Sequence, residues 1–164
     1  MSKRATSGDR GGIEIPIPGA RSLRLRHAVF DFNGTLALDG RLLPGVAARL
    51  RRLAELLPLT VLTADTFGTA RTALRRLPVT VHTVGSGRDK AAFVTRWRAA
   101  GVAAIGNGAN DAPMFRAAAL SVAVAGPEGL AGPALRAATI VVTSAAAALD
   151  LLLRARRVSA TLRR

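Results

Sequence analysis

Asp31-Phe32-Asn33-Gly34-Thr35-Leu36 follows directly on the apolar stretch Ala28-Val29-Phe30. A buried strand that ends in a carboxylate, an amide, a glycine and a threonine can aim one oxygen nucleophile, with polar groups around it, at a single point. Further along, Thr63 closes a second apolar run, Lys90 follows Asp89, and Gly106-Asn107-Gly108-Ala109-Asn110-Asp111 follows a third. A carboxylate, a hydroxyl, a lysine and a second carboxylate in that order suit phosphoryl transfer, which needs a nucleophile and compensation of phosphate charge. The chain has 22 arginines but only two lysines, Lys3 and Lys90, so a lysine at position 90 is more than surface filler. Taken singly, each stretch has a plainer reading. The first is also an aspartate-initiated turn, the last a loop ending in an Asn cap, Thr63 a strand residue, and Lys90 a first-turn residue after an Asp89 cap.

The elements around these stretches decide between the readings. Residues 13–17 alternate like a strand and Pro18-Gly19 turns the chain back towards residues 23–25, which predicts an antiparallel edge hairpin. Asp39-Gly40 predicts a small hairpin flap over residues 36–43, and Pro44 opens a helix with Val46, Leu50, Leu53 and Leu57 on one face. Strands are then expected over 59–63, 79–84, 102–105, 120–125 and 139–142. Helices are expected over 67–77, 90–100, 110–118, 133–138 and 144–154. Short apolar strands alternating with amphipathic helices predict an α/β fold, a Rossmann-like, mostly parallel sheet with helices on both faces. Ligands bind such sheets at the carboxyl ends of the strands, and Asp31, Thr63, Asp65, Lys90 and Asp111 all fall on that rim. Asp65 reads as a helix cap, and His27 and His82 as structural residues.

Composition bounds the alternatives. At 164 residues, 49% of them apolar, the chain suits one domain, with residues 1–12 as a disordered basic tail and 13–164 as the folded unit. Without cysteine there is no disulfide framework and no thiolate metal site. No apolar signal-peptide core follows the basic start, and the longest apolar run, 139–153, is too short for a membrane span and contains Asp150. A soluble, cytoplasmic protein with no membrane partner is expected. The net charge of +14 raises nucleic acid as a partner, but the basic residues are dispersed, without aromatic interleaving and with no tyrosine, so a solvated surface is the better reading.

These four stretches, in this order, resemble the motifs of the haloacid dehalogenase-like (HAD) hydrolase superfamily, over about residues 13–162. "DFNGTLA", "LTADTFGT" and "IGNGANDAPMF" look most like the soluble, capless relatives of the P-type ATPase phosphorylation domain. The resemblance implies Mg²⁺ as cofactor and a phosphorylated substrate. Asp31 would be the nucleophile that forms an aspartyl-phosphate, and Lys90 would neutralise it. Thr63, Lys90, Gly34, Asn33 and the amides after Asn33 would bind phosphate. Asp31, the carbonyl of Asn33 and Asp111 would ligate the metal, with Asn107 and Asn110 in its outer shell.

Two departures from the family pattern bear on rate. Asn33 stands where HAD phosphatases usually have the aspartate that protonates the leaving group and activates water, and an amide can do neither. Asn107 stands where many relatives have a metal-binding carboxylate. Neither gap between motifs has room for a cap domain, so a homo-oligomer, or failing that a macromolecular substrate, is expected to cover the site. The expected function is a slow Mg²⁺-dependent phosphohydrolase; the alternative is a catalytically impaired HAD domain acting as a binding or regulatory module.

Overall fold

In the computed structural model, residues 11–65 and 68–164 are described. Most of the expected tail therefore lies outside the described residues. The chain opens with β1 (Ile13–Ile15) and β2 (Leu23–Leu25), followed by β3 (His27–Phe30), β4 (Ala37–Leu38), β5 (Arg41–Leu42) and α1 (Val46–Ala54). Then come β6 (Leu59–Thr63), α2 (Thr69–Leu74), β7 (Thr80–Thr83), α3 (Gly87–Arg96) and β8 (Val102–Gly106). The order ends with α4 (Ala112–Ala117), β9 (Leu120–Val124), α5 (Gly132–Ala137), β10 (Ile140–Val142), α6 (Ala145–Leu153) and α7 (Ala155–Leu162).

Six parallel strands form the central sheet in the order β10-β9-β8-β3-β6-β7. Their side chains alternate between two cores, which is why the inner strands β3, β6, β8 and β9 are buried at every position instead of at every second one, while the edge strand β7 is largely exposed. Ala28, Phe30, Val61 and Ile105 face one core with α1, α6 and α7, while Val29, Leu62 and Ala104 face the other with Val94 of α3 and Met114 and Phe115 of α4. Phe30 is fully buried, worth about 1.5–3 kcal/mol by transfer of its side chain from water.

The N-terminal hairpin is antiparallel, with Ile13 opposite Leu25 and Ile15 opposite Leu23, but it forms its own two-stranded sheet and does not extend the edge of the central one. Ile13, Ile15 and Leu25 join the core beside Val158 of α7, a helix not anticipated from the sequence. Asp150, the one acid in the apolar run, has an explanation too: it pairs with Arg49 across α1 and α6, Nε to Oδ1 at 3.0 Å and Nη2 to Oδ2 at 3.1 Å. His27 is structural in setting, accepting or donating at Nε2 with Thr60 Oγ1 at 2.8 Å and lying against Trp97. Burial, then the charge of His82, pushes its pKa down to about 4, so it stays neutral near pH 7.

The chain leaves β3 for β6 and β7 on one side, then returns to β8 and β9 on the other. β3 and β8 are thus neighbours at which the winding direction changes, and a crevice opens beyond their carboxyl ends. Asp31 follows β3 and Asn107 follows β8.

Candidate active site

Asp31 is set by the strand that carries it: its N–H donates to the Ile105 carbonyl at 2.9 Å, prolonging the β3–β8 pairing by one residue. The backbone then turns sharply. The N–H groups of Thr35, Leu36 and Ala37 all donate to the Phe32 carbonyl, and that of Gly34 donates to Ala37 at 2.7 Å. The amides of Gly34 and Thr35, expected to cradle a phosphate, are therefore spent on the turn. Gly34 serves differently. Its φ is +79°, and a Cβ there would run into the Asn107 carboxamide, so the missing side chain admits Asn107 to the site.

The flap follows at once. β4 and β5 pair as an antiparallel hairpin through Asp39 and Gly40, with φ of 49° and 77°, the positive values a tight two-residue turn requires. Asn33 is exposed and ties itself to this flap, its Oδ1 accepting from the Gly40 N–H at 3.1 Å.

Lys90 rises from α3. That helix begins at Gly87, three residues earlier than its apolar pattern suggested, because Ser86 is the cap: its Oγ accepts from the Asp89 N–H at 3.3 Å. Lys90 is consequently a full turn inside the helix, only 1% exposed, and its Nζ bridges Asp31 Oδ1 at 2.7 Å and Asp111 Oδ1 at 2.6 Å. Burial by itself would strip the lysine of its proton, but the two carboxylates outweigh it and raise its pKa. Asp111 lies on a 3₁₀ turn, Ala109–Asp111, that folds back under the loop. Its Oδ2 accepts from the N–H groups of Asn107 and Gly108, both at 2.9 Å.

Asp111, expected among the metal ligands, thus has both oxygens engaged and is fully buried. It reaches the site through Lys90. Asn107 and Asn110 do line the cleft, with Asp31, Asn33 and Thr63, around a volume of about 380 Å³. Asn107 is held on both sides, its Oδ1 accepting from Thr35 Oγ1 at 3.1 Å and its Nδ2 donating to the Gly129 carbonyl at 3.0 Å. Asp65 caps α2, accepting from Thr69 and Ala70 N–H at 2.8 and 3.0 Å. The helix it starts is the one expected from residue 67, which itself lies outside the described residues.

Burial, then the nearby charge of Asp111, pushes the Asp31 carboxyl up to about 6 against the opposing pull of Lys90. Two carboxylates share one ammonium, leaving an uncompensated negative charge at a crevice lined by oxygens. That donor set fits a hard, oxygen-seeking dication. It also fixes a sign. Because the folded protein holds the Asp31 proton more tightly than the unfolded chain does, the stability this gives is complete below the ordinary carboxylate range and is lost as pH rises through about 6. In metal-free protein, Asp31→Asn should therefore melt higher than the parent at about pH 8, and the difference should shrink as pH falls through about 6, closing only below about pH 4. Paired thermal melts across that range check it; a difference independent of pH would show that Asp31 carries no such burden.

Solved structures share this arrangement of strands. A protein from Streptomyces avermitilis assigned to the HAD family of hydrolases superposes with a TM-score of 0.66 at 19% identity, over 80% of this chain and 84% of that one. This is the haloacid dehalogenase-like fold. The same HAD fold is found in the 3-deoxy-D-manno-octulosonate 8-phosphate phosphatase of Moraxella catarrhalis, solved with a magnesium ion, a phosphate ion and KDO. It superposes with a TM-score of 0.68 at 13% identity over 83% of this chain and 90% of that one. A zinc-transporting PIB-type ATPase in its E2.Pi state matches at 27% identity and a TM-score of 0.61, over 73% of this chain but only 20% of the transporter. No protein-family model and no curated protein matches the sequence. Among the described residues, no helix is long and apolar enough to cross a membrane.

Proposed function

We propose that the protein is a phosphohydrolase that passes phosphate through Asp31. The observation that carries this reading is the buried Lys90 ammonium bridging Asp31 and Asp111 at the switch point of the sheet. In the first half-reaction an Asp31 oxygen attacks phosphorus and the bond to the leaving oxygen breaks, giving an aspartyl-phosphate; in the second, water releases phosphate and restores the carboxylate. Lys90 offsets the charge on Asp31 from beneath, and Thr63 and Asn33 face the transferred group from the cleft walls. Asp111 positions the lysine. Magnesium, when bound, would compensate the repulsion between carboxylate and phosphate, held by Asp31 and the Asn33 carbonyl, with Asn107 on the cleft wall beside it.

The substrate class follows from Asn33. With an amide in place of a carboxylic acid, the leaving oxygen departs without a donated proton from that position. Acyl phosphates, aryl phosphates and phosphoanhydrides, whose leaving groups are stable as anions, should turn over in preference to alkyl phosphate esters. The flap and α1 occupy the chain between Leu36 and Thr63, and α2 and β7 occupy that between Thr63 and Lys90. Neither interval holds a cap among the described residues, and a second subunit over the open cleft is the arrangement we favour.

Acetyl phosphate and a simple alkyl phosphate, each assayed with and without Mg²⁺, test the proposal; absent turnover on both would favour a binding module, and turnover independent of Mg²⁺ would remove the metal from the reading. Asn33→Asp should raise turnover of the alkyl ester by about tenfold or more, a modest share of the usual acid–base contribution. The aspartate retains the oxygen that accepts from the Gly40 N–H, so the flap stays in place. No gain with intact Mg²⁺ binding would show that leaving-group protonation is not limiting.

A further inference from the structure

Replacing the acid at position 33 by an amide leaves the second half-reaction without a base. Water attacking an aspartyl-phosphate must lose a proton, and Asn33 cannot take it. Of the carboxylates that border the cleft or its mouth, Asp31 would be phosphorylated at that stage, Asp65 has both oxygens committed to the start of α2, and Asp39 borders the mouth without lining the inner cleft. Glu128 remains. It lines the inner cleft with Asp31 and also its mouth, beside Asn33 and the Asp39-Gly40 turn of the flap. It is exposed, and among the described residues it makes no hydrogen bond or ion pair, in a chain with 24 basic residues.

Its backbone is not loose. Gly126-Pro127-Glu128-Gly129 is a tight turn closed by the Gly129 N–H donating to the Gly126 carbonyl at 2.9 Å, with proline fixing the residue before the glutamate. The turn is anchored to the site itself. The Gly129 carbonyl accepts from Asn107 Nδ2 at 3.0 Å, and the Ala131 N–H donates to the Asn107 carbonyl at 2.9 Å. The residue that packs over Gly34 thus also fixes where Glu128 begins. In-line displacement places the incoming water opposite Asp31, towards the mouth that Glu128 borders.

We infer that Glu128 is the general base for hydrolysis of the phosphoenzyme. The inference rests on the Asp31 reading above. As water forms its bond to phosphorus, the Glu128 carboxylate takes one water proton and the bond from phosphorus to the Asp31 oxygen breaks. Phosphate leaves, Asp31 is again a carboxylate, and the proton on Glu128 passes to solvent. The charged groups facing Glu128 are Asp31 on the cleft floor, Asp65 at the start of α2 and Asp39 on the flap, and among the described residues no lysine or arginine lines the cleft.

The test labels the full-length protein with ³²P-acetyl phosphate in the presence of Mg²⁺, then follows decay of the label after a chase with unlabelled compound. Glu128→Gln should slow decay by about 10²-fold while leaving the rate of labelling within about threefold of the parent, since only the second step needs the base. The parent's decay rate should fall on the acid side of its pH profile and that of the variant should be flat, with formate partly restoring decay in Glu128→Ala. Decay by Glu128→Gln at the parent's rate overturns this inference alone. Slower decay with the parent's pH profile would make Glu128 a positioning residue and overturn the base role. A parent that takes no label on Asp31 overturns the reading beneath it as well.

Discussion

Asp31→Asn should lower turnover of acetyl phosphate by about 10⁴-fold or more, the scale reached when the nucleophile of a concerted catalytic group is removed. Lys90, Asp111 and Asn107 are tied to one another or to backbone and keep their places without it: Asp111 holds Lys90 at 2.6 Å and accepts from two backbone amides. The loss should therefore be chemical. The variant should fold, bind Mg²⁺ more weakly and, near pH 8, melt no lower than the parent. A steady-state assay with acid-quenched phosphate release checks this. Residual activity within tenfold of the parent would mean that water attacks the substrate directly, with Asp31 only a charge at the edge of the reaction.

The largest effect on stability should come from Lys90→Met. Methionine fills a similar volume at a position 1% exposed, but it removes the only cation within reach of Asp31 Oδ1 and Asp111 Oδ1 among the described residues. Breaking a buried ion pair by deleting one partner costs about 3–5 kcal/mol, because the remaining charge stays buried and uncompensated. At about 2–4 °C per kcal/mol for a domain of this size, the melting temperature should fall by about 10 °C. Adding Asp31→Asn to Lys90→Met should recover part of the loss, as one of the stranded charges is then gone. Thermal unfolding of the four proteins in this cycle gives the coupling directly, and an additive result would mean that Lys90 and Asp31 do not share the energy their geometry implies.

The sheet was legible from the sequence for a simple reason. Strands buried on both faces read as unbroken apolar runs, so β6 is expected and found at Leu59–Thr63, and every crossover helix between parallel strands follows from the spacing. The helix starts were less so. α3 begins under the cap of Ser86, whose neighbours Gly85 and Gly87 look like loop until the Ser86 Oγ is seen accepting from Asp89. α7 was missed because Arg154 ends the apolar periodicity of α6, although Val158 and Leu162 keep a helical interval of their own.

Within the site, residue types were readable and depths were not. In "GNGAND" both Asn107 and Asp111 could reach a ligand on paper. The 3₁₀ turn at Ala109–Asp111 puts the aspartate underneath, against Lys90 and two backbone amides, and leaves Asn107 on the cleft wall. Likewise the amides after Asn33 look available until the turn before β4 claims them. Glu128 escaped notice because it belongs to no motif, yet it follows β9 on the same rim as the others, which is the signal that would have found it.

The central claim is a covalent one, that phosphate rests on Asp31. Acid quench after mixing the parent with acetyl phosphate and Mg²⁺, followed by peptide mapping by mass spectrometry, reads it in one step. The account predicts a phosphate that survives acid, is released by hydroxylamine, and lies on the peptide containing Asp31. Turnover that proceeds with no phosphate on that peptide at any quench time, or with the label on another residue, would contradict it.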